Sequence, residues 1–382
     1  MKIGIMLDKI VQGGVPKACL EEARCLRRMG DDSELLVITR EDEGEYRYED
    51  LRKGTKVNYI SDAFPKVFQK SFKFPGFTFF SSFHVISPFL INDKNYTDCD
   101  VLVSHGTYTC FTAKKLCKKF SINYVPFVWD PISFILPQVY SDTNLKYALP
   151  FFKPLGKYLD GNILQNCEFV ITPSTVHKKT LESMSGKDTF VVHPGCYSSP
   201  KIPKRRGNFI LSVTKWGVNK KPDILIDICK NMDEKMKIIV AGFWLGNSRE
   251  EFEKKVKKEN LEKYIEIRGP ADKQMLKHLY SNARVLMHPL FEAFGMMCLE
   301  AAAYGCPFII PEKSGVMDLF EHEKSAFSPQ ENNVESFIEY TNKLVKNERY
   351  AWRIGKRAWN IANKNTWEDH TRKLKNILDN NL

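Results

Sequence analysis

Short apolar runs alternate with amphipathic segments along the amino-terminal half of the chain. The apolar runs predict buried strands at residues 2–7, 34–39, 101–104, 124–129, 169–172 and 190–192. The amphipathic segments between them predict helices at residues 16–28, 111–119 and 175–184. Strands and helices in alternation are typical of an α/β domain built on a parallel sheet.

The same alternation restarts near residue 209. Strands are predicted at residues 209–213, 237–241, 265–268, 285–287 and 308–310, with helices at 222–231, 250–259 and 273–280 and a further helix that ends at Gly305. Between the two sets, residues 195–207 form a connector that is basic at its centre and has no hydrophobic periodicity. We therefore predict two doubly wound Rossmann-like domains, at residues 1–197 and 208–355.

The segment from residue 285 to 321 carries the clearest chemical pattern. An apolar strand is followed by Glu292, by Gly295 at the start of a helix, and by Glu300 about two turns further on. The glycine lets a ligand approach backbone amides at a helix N-terminus, which favours phosphate or electron-rich oxygens. The two carboxylates would repel phosphate but suit neutral hydroxyls. A nucleotide sugar has such hydroxyls on both of its sugars, so the pattern indicates a nucleotide-sugar site.

Composition and charge add constraints on partners and compartment. The chain has 382 residues and a formal net charge of +11, which favours anionic partners such as nucleotides, anionic lipid surfaces or nucleic acid. Its ten cysteines are scattered without metal-ligand spacing, which is typical of reduced thiols in a reducing compartment. Because a strand is predicted from Lys2 onward, no signal peptide is expected, and we expect a cytoplasmic protein.

The segment around Glu292 resembles the signature of the retaining glycosyltransferases of family 4, which have the GT-B fold. The matching residues are Pro289, Glu292, Phe294, Gly295, Glu300, Ala301, Ala303, Gly305 and Pro307. Residues 211–223 are similar to the phosphate-binding element of that family, and residues 314–318 are similar to the glycine-rich element that follows its signature. Gly13 and Gly14 stand where the family has a glycine loop in its first domain, and residues 100–106 also fit. The resemblance thus spans most of the chain.

The resemblance implies a nucleotide-diphosphate sugar in a cleft between two domains. Glu300 would bind ribose hydroxyls and Glu292 would contact the transferred sugar, beside the backbone of Ala293, Phe294, Gly295 and Met296. Lys215 and Lys220 would neutralise the diphosphate and stabilise it as a leaving group, so that neither a metal ion nor another cofactor is required. The helix at residues 356–382 would pack back on the first domain.

The amino-terminal domain departs from the family at one place. Relatives often carry a histidine after the strand that corresponds to residues 124–128, whereas this chain has Trp129, Asp130 and Pro131. Asp130 or His105 is therefore a candidate for contacts with the sugar or the acceptor, and the amides of Gly13 and Gly14 could face a phosphate or the acceptor.

The phenylalanine-rich residues 63–92 hold nine Phe and three Lys but no acidic residue. This composition suits buried loop packing, and it also suits docking on an anionic membrane, which would make a lipid-linked acceptor accessible. The resemblance implies a retaining hexosyltransferase that uses a hydroxyl acceptor. The second interpretation of residues 63–92 would place this enzyme peripherally on the inner face of the membrane.

Three other functions remain open at this point. A phosphorylase of similar fold would use orthophosphate in place of the nucleotide leaving group. A nucleic-acid-binding protein would fit the net charge of +11. However, the sequence contains no recognised nucleic-acid-binding motif, and we do not expect nucleic acid as a partner. A Rossmann oxidoreductase is disfavoured, because residues 4–14 contain no Gly-x-Gly-x-x-Gly sequence after the first strand.

Overall fold

The computed structural model describes residues 1–40, 48–63, 73–74, 77–81, 87–89, 91–93, 97–140, 144–217, 220 and 222–382. These residues divide into two compact units. The first comprises Met1–Pro194 and Trp367–Leu382, and the second comprises Gly195–Thr366. The expected membrane-docking span at residues 63–92 lies largely outside the described residues.

The first unit is built on a parallel sheet of seven strands in the order β3-β2-β1-β6-β7-β8-β9. Its strands are β1 (Ile3–Leu7), β2 (Ser33–Val37), β3 (Lys56–Tyr59), β6 (Val101–His105), β7 (Asn123–Phe127), β8 (Val170–Thr172) and β9 (Thr189–Val191). A separate antiparallel pair consists of β4 (Lys73–Phe74) and β5 (Phe77–Ser81). The helices are α1 (Gly14–Arg28), α2 (Glu49–Arg52), α3 (Thr109–Phe120), α4 (Ile132–Tyr140), α5 (Leu149–Leu164) and α6 (Lys178–Ser185).

Alternate residues of each central strand face opposite sides of this sheet, as the pleat requires. Ile3, Ile5 and Leu7 pack with α1, whereas Met6 packs in a separate core with Leu116 of α3. Both faces are therefore covered by helices. This explains why the strands read as continuous apolar runs in the sequence.

The second unit has a parallel sheet of five strands in the order β12-β11-β10-β13-β14. Its strands are β10 (Phe209–Trp216), β11 (Lys237–Trp244), β12 (Ile265–Ile267), β13 (Val285–Met287) and β14 (Phe308–Ile309). Its helices are α7 (Ile224–Asn231), α8 (Ser248–Lys258), α9 (Lys273–Asn282), α10 (Met296–Ala303), α11 (Val334–Lys346) and α12 (Glu348–Ala362). Because β10 pairs with β11 on one side and β13 on the other, loops that follow these strands emerge at the same edge of the sheet. Ligands of parallel α/β sheets bind at this carboxyl edge.

The carboxy-terminal segment differs from the single helix expected at residues 356–382. The chain forms α12, breaks over residues 363–366, and continues as α13 (Trp367–Asn381), which groups with the first unit. Within that unit, Leu374 and Leu378 enter the same core as Ile3 and Ile5. The connector predicted at residues 195–207 begins where the structure divides the two units, between Pro194 and Gly195.

Candidate active site

Glu292 lies in the loop that joins β13 to α10 at the carboxyl edge of the second sheet. Residues 314–316 support this loop through three hydrogen bonds. The amide of Glu292 donates to Ser314 Oγ over 3.3 Å, that of Gly315 donates to the Glu292 carbonyl over 3.0 Å, and that of Val316 donates to the Phe294 carbonyl over 2.6 Å. The segment that resembles the family's second glycine-rich element therefore fixes the backbone that carries Glu292.

Gly295 lets the loop turn into α10. Its φ is +94°, which L side chains rarely adopt, and a Cβ there would lie 3.0 Å from Ile310 Cδ1. The side chains of Ala293 and Phe294 are buried, and Met296 is half-buried. Contact between a ligand and the backbone of Ala293, Phe294, Gly295 and Met296 stays a prediction.

This geometry makes Gly295→Ala a test of the loop. We expect the variant to lower the free energy of unfolding by about 1–3 kcal/mol, because alanine is strained at this φ and its Cβ crowds Ile310. Gly269→Ala is the matched control, since a Cβ at Gly269 meets no atom within 4 Å and its φ is ordinary. Chemical denaturation of both variants measures the difference, and equal stability of the two would contradict the strained turn.

The Glu292 carboxylate is held by two cationic or potentially cationic side chains. Lys220 Nζ forms an ion pair with Oε1, and His288 Nε2 lies 3.0 Å from the same oxygen. The Glu292 side chain is only 15% exposed, and His288 is fully buried. Burial raises the pKa of Glu292, but the charges of Lys220 and His288 outweigh it and lower the pKa to about 2. Glu292 is therefore a carboxylate, which accepts hydrogen bonds from hydroxyls, throughout the physiological pH range.

Lys220 reaches Glu292 because the strands that precede them are neighbours. β10 pairs in parallel with β13, so residues that follow their carboxyl ends lie close together. Lys220 pairs with Gly217, the residue that follows β10, through backbone hydrogen bonds from Gly217 N to Lys220 O over 3.3 Å and from Lys220 N to Gly217 O over 3.1 Å. The ammonium group is partly accessible, since the Lys220 side chain is 27% exposed.

Glu300 lies on α10 and meets α9. The Tyr280 hydroxyl donates a hydrogen bond to Glu300 Oε2 over 3.1 Å, and Tyr280 is almost fully buried. Burial, with the negative charge of Glu300, raises the pKa of Tyr280 well above its ordinary value, so that it remains a neutral donor. Tyr280 thereby orients the carboxylate of the half-buried Glu300 side chain.

Lys215 occupies a different position from Lys220. It is exposed near the carboxyl end of β10, and its Nζ lies 5.7 Å from the centre of the Phe243 ring on the adjacent β11. Phe243 is itself 42% exposed. The structure thus places Lys215 on the carboxyl edge of the sheet, but with an aromatic partner instead of the Glu292 carboxylate.

The candidate residues of the first unit also lie after the carboxyl ends of its strands. Gly13 precedes α1, and both its amide and its carbonyl are 3.0 Å from the Tyr48 hydroxyl. Asp130 follows β7; its Oδ1 lies 3.1 Å from His177 Nε2, and its carbonyl accepts from Thr107 Oγ1 over 2.5 Å. Gly14 is exposed at the first position of α1.

His105 is 1% exposed at the end of β6. Its Nε2 lies 2.9 Å from Glu22 Oε2, and its Nδ1 accepts a hydrogen bond from Trp129 Nε1 over 3.3 Å. Both ring nitrogens thus face protein atoms. A catalytic role for His105 stays a prediction, and the contacts shown are those of a histidine that organises the interior.

Three residues of the site were not singled out as functional from the sequence. His288 directly follows β13 and lies against Glu292, and its spacing of four residues from Glu292 is a weak sequence signal for this contact. Tyr280 and Ser314 approach Glu300 and the Glu292 backbone from other elements. Such contacts depend on tertiary packing, which residue spacing does not report.

Within the part of the chain that the structure describes, no group of three or more His, Cys, Asp or Glu side chains is placed to hold a metal ion. None of the described helices is both long and apolar enough to cross a membrane.

The sequence of the second unit matches a known family model. Residues 198–360 match the model described as "Glycosyl transferases group 1". The human protein named alpha-1,3/1,6-mannosyltransferase ALG2 is 26% identical over 210 residues, which cover 48% of this chain and 50% of that protein. The amylovoran biosynthesis glycosyltransferase AmsD of Erwinia amylovora is 27% identical over 157 residues, which cover 41% of this chain and 43% of that protein. The chain therefore spans about half the length of these curated relatives.

The structural comparison covers the whole chain. Anabaena Alr3699/HepE, solved in complex with UDP and glucose, superposes with a TM-score of 0.76 at 15% identity and full coverage of both chains. This likeness confirms the expected fold class, an α/β fold with two parallel-sheet Rossmann-like domains of the GT-B type. The residues that match the glycosyl transferases group 1 model, 198–360, all lie within the second unit.

Proposed function

We propose that the chain is a retaining glycosyltransferase of family 4 that moves a sugar from a nucleotide-diphosphate sugar to a hydroxyl acceptor. The observation that carries the proposal is the arrangement of Lys220, Glu292 and His288 beside the N-terminus of α10, with Glu300 held by Tyr280 on the same helix. A cation, an ionised acid and a helix N-terminus at one sheet edge suit a ligand that has both phosphates and hydroxyls.

The proposed chemistry divides the donor between these groups. Glu300 accepts hydrogen bonds from ribose hydroxyls, Glu292 accepts them from the transferred sugar, and Lys215 and Lys220 neutralise the diphosphate. As the bond between the anomeric carbon and the diphosphate oxygen breaks, the acceptor oxygen bonds to that carbon. The acceptor proton passes to the departing diphosphate, so no protein base is needed, and the new bond forms on the face that the diphosphate leaves.

Lys220 can serve both partners at once. Its ammonium has three N–H donors, of which the ion pair with Glu292 requires one. The remaining donors can meet phosphate oxygens, while the bond to Lys220 holds Glu292 in place. The low pKa of Glu292, about 2, means that this carboxylate does not need to lose a proton before it binds the sugar.

Two of the similar proteins support this donor class. The Anabaena protein was solved with UDP and glucose, and the human relative is named a mannosyltransferase. We therefore expect the donor to be a nucleoside diphosphate sugar, with UDP-hexoses as the first to examine. We further propose that the acceptor is lipid-linked and that the protein is cytoplasmic and peripheral to an anionic membrane, in keeping with its net charge of +11.

Substitutions of Glu292 and of Glu300 should affect different kinetic constants. Glu292→Gln is expected to lower kcat on the order of 100-fold with donor KM nearly unchanged, because the sugar contact strengthens as the bond breaks. Glu300→Gln is expected to raise donor KM about 10-fold or more with a smaller effect on kcat, because it weakens a charged hydrogen bond to a part of the donor that does not react.

The assay follows release of the nucleoside diphosphate from a panel of nucleotide sugars. A parallel assay with orthophosphate as the co-substrate tests the phosphorylase alternative. Glu312→Gln, an exposed acid in the same unit, is the matched control and should behave as wild type. Wild-type kinetics in both site variants would contradict the assignment, and turnover only with orthophosphate would establish the phosphorylase.

A further inference from the structure

The first unit carries an amphipathic surface that the proposed transfer reaction does not use. It lies on α5 and the short 3-10 helix Asn144–Ala148 before it. Tyr147, Phe151 and Tyr158 are 84%, 65% and 72% exposed, which is unusual for large aromatic side chains. Phe151 and Tyr158 are seven residues apart and therefore lie on the same side of α5.

Exposed lysines lie close in sequence to these aromatic side chains, on the neighbouring flank of the solvent-facing arc of the helix. Lys146, Lys153 and Lys157 are all exposed, and residues 144–159 contain no Asp or Glu. Lys153 and Lys157 are one turn apart, and Lys146 Nζ lies 5.2 Å from the centre of the Tyr147 ring. We call these six residues, Lys146, Tyr147, Phe151, Lys153, Lys157 and Tyr158, the α5 outer face.

The opposite face of α5 is fixed against α4, so the rotation of the helix is determined by packing. Gly156 allows the two helices to approach, since a Cβ there would lie 2.4 Å from Ser133 Cα. Asp160 accepts hydrogen bonds from the amides of Ile132 and Ser133 over 2.7 and 2.9 Å, which satisfies the N-terminus of α4. Phe152 and Ile163 are also buried, and the exposed aromatic and lysine side chains of α5 lie on the remaining, solvent-facing arc of the helix.

We propose that the α5 outer face docks on an anionic lipid bilayer. Exposed aromatic rings partition into the interface between headgroups and acyl chains, and lysines beside them pair with anionic headgroups. A surface with aromatic rings, three lysines and no acid is complementary to a negatively charged membrane. A second copy of the chain fits less well, because a two-fold contact would bring the lysines of both copies together.

This inference rests on the proposed lipid-linked acceptor, for which it supplies a means of access. It also assigns the membrane contact to residues other than the phenylalanine-rich span at 63–92. Because none of the six residues belongs to the candidate donor site, membrane binding and donor turnover can be measured separately.

The test is co-sedimentation of the full chain with vesicles of phosphatidylcholine alone or mixed with phosphatidylglycerol. Wild type is expected to bind only the mixed vesicles, with an affinity that falls as salt rises. The triple variant Lys146→Gln, Lys153→Gln, Lys157→Gln is expected to lose on the order of 100-fold in partitioning. The double variant Phe151→Ser, Tyr158→Ser should also bind more weakly.

Trp352→Ser with Lys356→Gln is the matched control, because Trp352 on α12 is 38% exposed and Lys356 Nζ lies 5.2 Å from its ring centre. This control should bind as wild type. Equal vesicle binding by wild type and the triple variant would overturn the proposal, as would self-association in solution that the Phe151 and Tyr158 changes abolish. If wild type hydrolyses the donor in solution but binds no vesicles, the docking surface is wrong while the transfer function stands.

Discussion

Lys220→Met is expected to lower kcat for sugar transfer by about 1,000-fold, the largest effect of any single change at the site. The substitution removes the ammonium group that is proposed to neutralise the diphosphate leaving group. It also removes the ion pair that holds Glu292. Lys313→Met, an exposed lysine in the same unit, is the matched control and should retain wild-type kinetics.

The pH profile of the Lys220 variant gives an independent readout. In the wild type, the charges of Lys220 and His288 overcome the effect of burial and hold the pKa of Glu292 at about 2. Without Lys220, only His288 opposes the effect of burial, so the pKa of Glu292 rises. The residual activity of the variant should therefore fall as the pH decreases through the mildly acid range, where the wild type is unaffected by Glu292. A variant within a few-fold of wild type, with an unchanged acid limb, would refute the role of Lys220.

Glu22→Gln is expected to lower the free energy of unfolding by about 3 kcal/mol at neutral pH. Glu22 is fully buried in α1, with His105 Nε2 2.9 Å from Oε2 and His370 Nε2 2.7 Å from Oε1. His370 lies on α13, and its Nδ1 is 2.7 Å from the His193 carbonyl oxygen. Glu22 therefore connects α1, β6 and the carboxy-terminal helix through one carboxylate.

The sign of the pH dependence follows from the pKa of Glu22. Burial raises this pKa, but His105 and His370 lower it to about 2, below the ordinary value of 4.5. The contribution of the carboxylate to stability is thus fully present above about pH 4.5 and is lost as the pH falls toward 2. Urea denaturation at neutral and acid pH should show that Glu22→Gln removes this decline.

Hydrogen exchange should show faster opening of α13 in the Glu22 variant. Glu168→Gln changes an exposed acid of the same unit and serves as the control. Equal stability of the two variants at neutral pH would contradict the structural role of Glu22.

Most strands could be predicted from the sequence because those that are buried on both faces are continuous apolar runs. The strand predicted at residues 285–287 has the same bounds in the structure, and Lys2–Leu7 differs by one residue. β3 was missed because Lys56–Tyr59 is short, mixed in polarity and at the sheet edge. α4 and α5 were missed because each contains an internal proline, Pro137 and Pro154, which ordinarily argues against a helix.

The spacing of three tryptophans near the carboxyl end does not correspond to one continuous helix. Trp352, Trp359 and Trp367 are spaced as one helical face, but the chain breaks between Ala362 and Trp367. The three rings consequently have different environments: Trp352 is exposed, Trp359 Nε1 donates to Ser199 O over 2.8 Å, and Trp367 is buried. The tryptophan spacing alone would therefore indicate one helix and would not reveal the break between Ala362 and Trp367.

The candidate site was predictable where local motifs define it. Glu292, Glu300 and Gly295 lie within one strand–loop–helix unit, so their spacing in sequence fixes their arrangement. The contact between Glu22 and His370, by contrast, joins residues 348 positions apart. Neither residue carries a motif, and only the packing of α13 brings them together.

Lys220, Glu292 and Glu300 are proposed to bind one nucleotide sugar together, at its diphosphate, its transferred sugar and its ribose. A crystal structure of the full chain soaked with a nucleoside diphosphate and the matching sugar tests it most directly. We expect the diphosphate to lie within hydrogen-bonding distance of Lys220 Nζ, the ribose hydroxyls to reach Glu300, and the sugar to reach Glu292. A nucleotide bound away from these three side chains, or diphosphate oxygens facing Glu292 in place of Lys220, would contradict it.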